Sequence, residues 1–364
     1  MGAGGAERVA AHLAGAWAEG GAGVSLVTLA AAEGDVYPLH PAVRRIGLGL
    51  ESDSRGLLDT VRHNRARVAA LRRVLRDRRP DAALAMMSNA NMLLAMAAAG
   101  LPVVTVGSER THPPQIPLGR LREALRWYWY GRLDAVTAPT VDSARWIERH
   151  TRTRIARAIP NPVDLPLPDG PPYRAVPAHA GRKLLLAAGR LAPEKQFDLL
   201  LDVFAELAGT FPDWDLAIVG DGPEAARLRA LAAPLGARVT LPGRAGNIGQ
   251  WYRAAQLFVS ASRFEGFPNV LVEAMAHGLA AVSFDCDTGP RDIIRDHIDG
   301  ILVSNGDRAR LKTALAELMG NDILRASYAA RASEACERFA LRGIAAQWTG
   351  LFDELRQMRT KRLR

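Results

Sequence analysis

The chain has 364 residues, 48% hydrophobic and 23% charged, a globular balance with length enough for about two domains that each bury a core. Its formal charge of +9 comes mostly from arginine and favours phosphorylated or other polyanionic ligands and anionic lipid. No run of 18 uncharged apolar residues and no basic-then-apolar leader occurs, and Cys286 and Cys336 alone make neither a disulfide framework nor a cysteine-rich metal site, so the expectation is a cytosolic protein.

The opening M-G-A-G-G-A-E-R-V reads as a glycine loop running into an amphipathic helix. In a doubly wound domain such a loop follows a buried strand that presents it to the ligand; no residues are left here for one, so the first strand is expected to be missing. Residues 23–29 read as a strand, and 33–55 carry no clear pattern. An arginine-dense helix follows over 56–79, with Val68, Leu71, Val74 and Leu75 recurring on one face; its arginines are either a solvated face or a contact for anionic lipid. Strands at 82–86 and 103–106 enclose a helix over 89–99. The second strand delivers Gly107, Ser108, Glu109 and Arg110 to its C-terminal end, where α/β proteins place ligand contacts, and His112 reads as a loop residue before Pro113 and Pro114. Trp127, Tyr128, Trp129 and Tyr130 are consecutive and point all round a helix. Flanked by Arg120, Arg122, Arg126 and Arg132, they fit a membrane interface or lipid-linked acceptor, or equally packing against a neighbouring domain. A strand at 135–138 and a helix over 141–149 close this half.

Seven prolines between Pro160 and Pro177 mark a linker. A second strand–helix series then begins: strand 184–188, the turn G-R-L-A-P-E-K at 189–195, a helix from 197, strand 216–219, the glycine turn V-G-D-G-P and a helix from 224. In the first turn Arg190 and Lys195 bring two cations to one phosphate group, Arg as a planar fork and Lys as a point charge. Apolar runs at 257–260 and 281–284 read as buried parallel strands around a helix that Pro268 starts as first residue and Gly278 stops. Glu265, Gly266 and Phe267 then lie at a helix N-terminus, whose free N–H groups favour a phosphate. Glu265 and Glu273 are eight steps apart, roughly 12 Å along a helix and too far for a hydrolase's acid and base, so they read as two grips on one long ligand such as a sugar nucleotide. D-C-D at 285–287 imitates a metal motif, but two carboxylates alone make a poor magnesium site. After Asp307 the chain reads as helical to its end.

The string S-R-F-E-G-F-P-N-V-L-V-E-A-M-A with the later F-D-C-D-T-G-P resembles the donor-binding signature of family 4 retaining glycosyltransferases, in particular the branch that assembles amylovoran-type exopolysaccharides and lipopolysaccharide cores. G-G-A-E-R-V, S-E-R at 108–110, I-P-N-P-V-D at 159–164, G-R-L-A-P-E-K and V-G-D-G-P extend the likeness over nearly the whole chain. The resemblance implies an α/β fold of two facing Rossmann-like domains (GT-B): an acceptor domain over 1–160, a linker over 161–180, a nucleotide-sugar domain over 181–340 and a helix over 341–364 that crosses back. It implies transfer of a hexose or N-acetylhexosamine, with UDP as the expected nucleotide, to a lipid-linked saccharide or polysaccharide in cell-surface glycan synthesis. In these terms Arg190 and Lys195 neutralise the leaving diphosphate, Glu265 holds the donor sugar, Glu273 the ribose, and Gly4 and Gly5 let donor phosphate or acceptor approach the backbone. Glu109, Arg110, Gly189, Gly220, Gly222, Gly266, Phe267 and Asn269 complete the binding set. Many family members carry a His near position 110 beside the transferred sugar; this chain has Arg110 there and His112 two residues on. No divalent metal and no nucleic acid partner are expected, and the protein is expected at the inner face of the cytoplasmic membrane. The alternatives are a sugar-nucleotide epimerase of the same architecture and a non-catalytic membrane or assembly relative.

Overall fold

The computed structural model describes residues 4–32, 35–51, 57–177 and 181–363. They form two compact units, one made of the chain up to Pro162 together with the chain from Leu341 onward, the other of Val163–Ala340.

The first unit runs α1 (Gly5–Glu19), β1 (Ser25–Thr28), β2 (Arg44–Gly47), α2 (Leu57–Arg78), β3 (Ala82–Met86), α3 (Ser88–Ala97), β4 (Val104–Ser108), α4 (Arg120–Tyr130), β5 (Ala135–Ala138), α5 (Val141–His150) and β6 (Ala156–Ala158). All its strand pairs are parallel. β1 pairs with β2, and β3, β4, β5 and β6 form a second sheet in that order. No ladder among the described residues joins β1 to β3. Gly4, in extended conformation, caps α1 directly, so the glycine loop opens the helix without an intervening turn. The patternless stretch before α2 contains β2, which the sequence did not reveal because R-R-I-G offers one apolar side chain and lies half-exposed.

Every residue of β4 and β5 is buried, as parallel strands covered on both faces require. On one face Val9 and Leu13 of α1 pack with Val104, Val106 and Ala135 and with Ile344, Trp348, Leu351 and Leu355 of the C-terminal helix Leu341–Leu363. Leu75, Met92, Leu94, Tyr130 and Ile147 cover the other face. One arginine of α2 is structural, since Arg72 donates to the carbonyls of Ala97 and Ala99 at 2.8 and 2.7 Å and satisfies the end of α3.

The second unit contains β7 (Lys183–Ala188), α6 (Phe197–Ala208), β8 (Trp214–Val219), α7 (Ala225–Ala232), β9 (Val239–Gly243), α8 (Ile248–Ala254), β10 (Leu257–Ser260), α9 (Asn269–Ala276), β11 (Ala281–Asp285), α10 (Pro290–Ile293), β12 (Gly300–Ser304), α11 (Arg308–Gly320), α12 (Asp322–Ala332) and α13 (Ala335–Arg338). Its sheet is parallel throughout, in the order β12-β11-β10-β7-β8-β9. The chain winds outward from β7 to β9 and then returns to β10 on the other side of β7. This reversal opens a crevice at the C-terminal ends of β7 and β10, where doubly wound sheets bind ligands. The proline-rich segment is docked on this unit rather than free: Gly246 donates to the Pro172 carbonyl at 2.8 Å, and Arg174 and Asn247 exchange two hydrogen bonds of 2.9 Å. β9 and β12 were not anticipated; β9 is half-buried over four of its five residues, and β12 follows a polar turn rather than a glycine or proline signal.

Trp348 is 1% exposed and its indole N–H is buried without a partner. Trp348→Ala is expected to cost about 3–5 kcal/mol of stability, whereas Trp348→Phe, which also removes the unpaired donor, should cost less than about 1.5 kcal/mol. Urea unfolding of both variants checks the contrast.

Candidate active site

The β7 turn and the β10 turn meet at the crevice of the second unit. Lys195 Nζ lies 2.5 Å from Glu265 Oε1, with side chains only 17% and 11% exposed. Arg190, 69% exposed, pairs with Glu194 at 2.7 Å, and the Arg263 N–H donates to the Glu194 carbonyl at 2.8 Å, fastening one turn to the other. Burial works against ionisation of Glu194, but the Arg190 hydrogen bond, its backbone contact and the charges of Arg190 and Lys195 leave its carboxyl below the usual range. Both cations expected at a diphosphate therefore already hold carboxylates.

Turn packing holds this geometry. Gly220 has φ +153°, and a Cβ there would stand 1.8 Å from the Gly189 carbonyl oxygen; a Cβ on Gly222 would stand 2.4 Å from that of Leu191. Leu191 N–H donates to Asp221 and Glu224 N–H to Leu191, both at 2.9 Å. Gly189, Gly220 and Gly222 thus let one backbone lie against another, and the latter two brace the Arg190–Lys195 turn. On the other side Thr288 Oγ1 donates to the Glu265 carbonyl at 2.6 Å, and a Cβ on Gly289 would meet Pro268 Cδ at 2.7 Å. Asp285 is taken by Arg291 at 2.8 Å, while burial, then the Glu265 charge, push the Cys286 thiol up to about 12.

α9 begins at Asn269, with Pro268 in extended conformation as its cap rather than as first helical residue, and Gly278 at φ +79° ends it. The backbone N–H groups of Gly266 and Phe267 make no hydrogen bond among the described residues and remain available to an anion. Two of the expected binding residues are largely buried. Phe267 is 7% exposed, with its ring 5.8 Å from that of Phe339 in an edge contact, so its side chain packs in the core and only its backbone N–H faces the turn. Glu273, expected on an open helix edge, is 4% exposed and accepts a 3.1 Å hydrogen bond from Tyr252.

In the first unit, Gly4 and Gly5 are the cap and first residue of α1. Glu109 is 1% exposed and its carboxylate accepts from Ser88 Oγ at 2.9 Å and from Tyr130 Oη, so it ties the start of α3 to the end of α4. Burial lifts its carboxyl above the ordinary 4.5, against the pull of the Tyr130 and Ser88 hydrogen bonds. Arg110 donates to Asn161 Oδ1 at 2.6 Å and to Met86 Sδ at 3.5 Å and lies over Trp348 at 5.9 Å, but meets no carboxylate among the described residues. Its Nε is buried without a partner, and burial lowers its pKa to about 10. His112 shares a 2.9 Å hydrogen bond with Ser143 at the start of α5. Ser88, Tyr130, Asn161, Tyr252 and Thr288, which position these groups, stand at no informative spacing from them in the sequence. Among the described residues no group of three or more His, Cys, Asp or Glu could hold a metal ion.

Two parallel α/β units, the second doubly wound with a Lys–Glu pair at its topological switch point, define a double Rossmann-like protein of GT-B architecture. The crystal structure of Anabaena HepE in complex with UDP shares that fold, with a TM-score of 0.76 at 19% identity over 96% of each chain. The family model described as glycosyltransferase family 4 matches residues 3–166 and that described as glycosyl transferases group 1 matches 182–321. The chain belongs to the family 4 glycosyltransferases. It is 37% identical over 61% of its length to an exopolysaccharide phosphotransferase of Streptomyces coelicolor, of which it spans only 24%. It is 25% identical over 98% of its length to 97% of an α-1,4-N-acetyl-D-galactosaminyltransferase of Campylobacter jejuni named for a diphospho-undecaprenol-linked acceptor.

Because the folded state of Glu109 holds its proton to higher pH than the unfolded chain, it loses stability as pH rises above about 4.5 towards the raised value. Glu109→Gln, which cannot titrate there, should gain stability relative to wild type over that window. Thermal unfolding of both proteins between pH 4 and 8 checks the sign.

Proposed function

We propose that the protein is a retaining glycosyltransferase that moves a hexose or N-acetylhexosamine from a nucleoside-diphosphate sugar, with UDP as the nucleotide, to a lipid-linked saccharide or polysaccharide in cell-surface glycan synthesis. The observation that carries this reading is the Lys195–Glu265 pair at the β7/β10 crevice, beside the unspent N–H groups of Gly266 and Phe267. Support for the nucleotide comes from the HepE complex, and support for the acceptor from the Campylobacter relative.

In this proposal Lys195 releases Glu265 and takes a diphosphate oxygen, while the freed Glu265 accepts hydrogen bonds from donor-sugar hydroxyls. Arg190, on the exposed side of the turn, adds a second cation as charge develops on the leaving group. The bond from the anomeric carbon to the diphosphate breaks as the acceptor oxygen bonds to that carbon on the same face, and the acceptor proton passes to the leaving phosphate oxygen. No protein base is needed. Glu273 steadies Tyr252 and the α9 turn on which the nucleotide rests. Arg110, a cation with no carboxylate at the C-terminal edge of β4, serves an anionic group of the acceptor. The reaction runs without a divalent metal and takes place at the inner face of the cytoplasmic membrane; no helix among the described residues is long and apolar enough to cross it.

Release of UDP from UDP-sugars, with and without a lipid-linked saccharide, tests the reading. Acceptor-dependent release that persists in EDTA is expected, and Lys195→Ala should lower it several hundredfold, about 3–4 kcal/mol in the barrier. Conversion of the donor to a free epimer without acceptor, or activity that chelation abolishes and magnesium restores, contradicts it.

A further inference from the structure

The first unit carries 28 Lys and Arg against 16 Asp and Glu, the second 19 against 22, so the whole positive surplus of the chain sits on the first. Part of that surplus converges where α4 ends and the chain enters β6. There a pocket of about 280 Å³ is lined by Tyr128, Gly131, Arg132, Arg152 and Arg154. Among the described residues none of the three arginines has a carboxylate within ion-pair distance and Arg154 makes no hydrogen bond. Arg132 donates to Tyr128 Oη at 2.7 Å and lies over its ring, while Arg152 stacks on Trp127 at 4.8 Å, so aromatic faces hold two of the cations in place. Gly131 permits the convergence, since a Cβ there would stand 2.6 Å from that of Arg152. The pocket precedes β5 and β6 and so lies at the N-terminal edge of the sheet, opposite the edge that bears Arg110.

Beside it the exposed face of α4 is apolar. Leu121, Leu125 and Tyr128, at steps of four and three, are 69%, 40% and 37% exposed, and Trp127 is 46% exposed. Exposed Arg120 and Arg122 border the stripe. An apolar helical stripe lying in the plane of a surface, with guanidinium groups at its end, matches the boundary between acyl chains and phosphates.

We infer that Arg132, Arg152 and Arg154 form a binding pocket for the phosphate of an anionic phospholipid headgroup, with the Leu121–Leu125–Tyr128 stripe seated among the adjoining acyl chains. Such a pocket gives the membrane location proposed above a physical contact, and vesicle binding is read without turnover, so failure of the enzymatic reading leaves it untouched. The full chain is sedimented with phosphatidylglycerol-containing and with pure phosphatidylcholine vesicles. Wild type should bind the first and not the second, and the bound fraction should fall about tenfold or more in Arg152→Glu/Arg154→Glu and in Leu121→Asp/Leu125→Asp. Since Arg152 also stacks on Trp127, Arg154→Glu alone, with an unchanged circular dichroism spectrum, repeats the test at a side chain with no partner to lose, and a clear drop is expected there too. Wild-type binding by the folded Arg154→Glu and Arg152→Glu/Arg154→Glu proteins would overturn the inference. So would arginine-dependent binding of inorganic phosphate in solution with vesicle binding indifferent to all these changes, which would mark a site for soluble phosphate instead.

Discussion

A single ion pair, Lys195 to Glu265, sets the character of the second unit. It joins the turn after β7 to the turn after β10, the two strands between which the winding direction of the sheet reverses. Neither side chain is open to water, and a partly buried charge left without its partner costs several kcal/mol, so the two turns stay together until something else compensates one of the charges. In the proposed reaction a diphosphate does so for the lysine and a sugar's hydroxyl groups do so for the glutamate. The backbone around the pair is correspondingly constrained: Gly220 and Gly222 admit one turn against another, and Thr288 and Gly289 clamp the far side. A site that is preformed but charge-neutral in the absence of ligand spends little on reorganisation when ligand arrives.

Most of this was legible in the sequence because the signals are local. Strand, glycine turn and helix recur with regular punctuation, and the string from Ser262 to Asp292 contains a strand end, a capping proline and a stopping glycine within one unit of structure. What escaped was set by tertiary contact. β2 and β9 are half-buried strands whose composition is too mixed to show a period, and nothing local marks Glu109 as interior, because its partners Ser88 and Tyr130 come from two other helices. Phe267 and Glu273 were legible as members of the motif, but the burial of their side chains was not. The same string that builds an anion site must also build the core on which the site rests, and residue type alone does not divide the labour. Four consecutive aromatic residues illustrate the limit: α4 sends Tyr130 into the core at 0% exposure and leaves Trp127 and Tyr128 outside.

The two units differ in electrostatic kind. The second, with its Lys195–Glu265 and Arg190–Glu194 pairs, balances its charges internally and is slightly acidic overall. The first holds the surplus; among the described residues Arg110 lacks a carboxylate at one edge of its sheet and three arginines lack one at the other. Cations left without counter-charges cost stability through mutual repulsion, and the membrane contact inferred above would offset that cost on the first unit.

The central claim, that Lys195 and Glu265 form a diphosphate site at the β7/β10 crevice, is tested most directly by calorimetric titration of UDP and of uridine into wild type and Lys195→Ala. Loss of one charge-assisted contact should weaken UDP about tenfold to a hundredfold and leave uridine, which has no phosphate, unchanged. Equal affinity of both proteins for UDP would contradict the assignment.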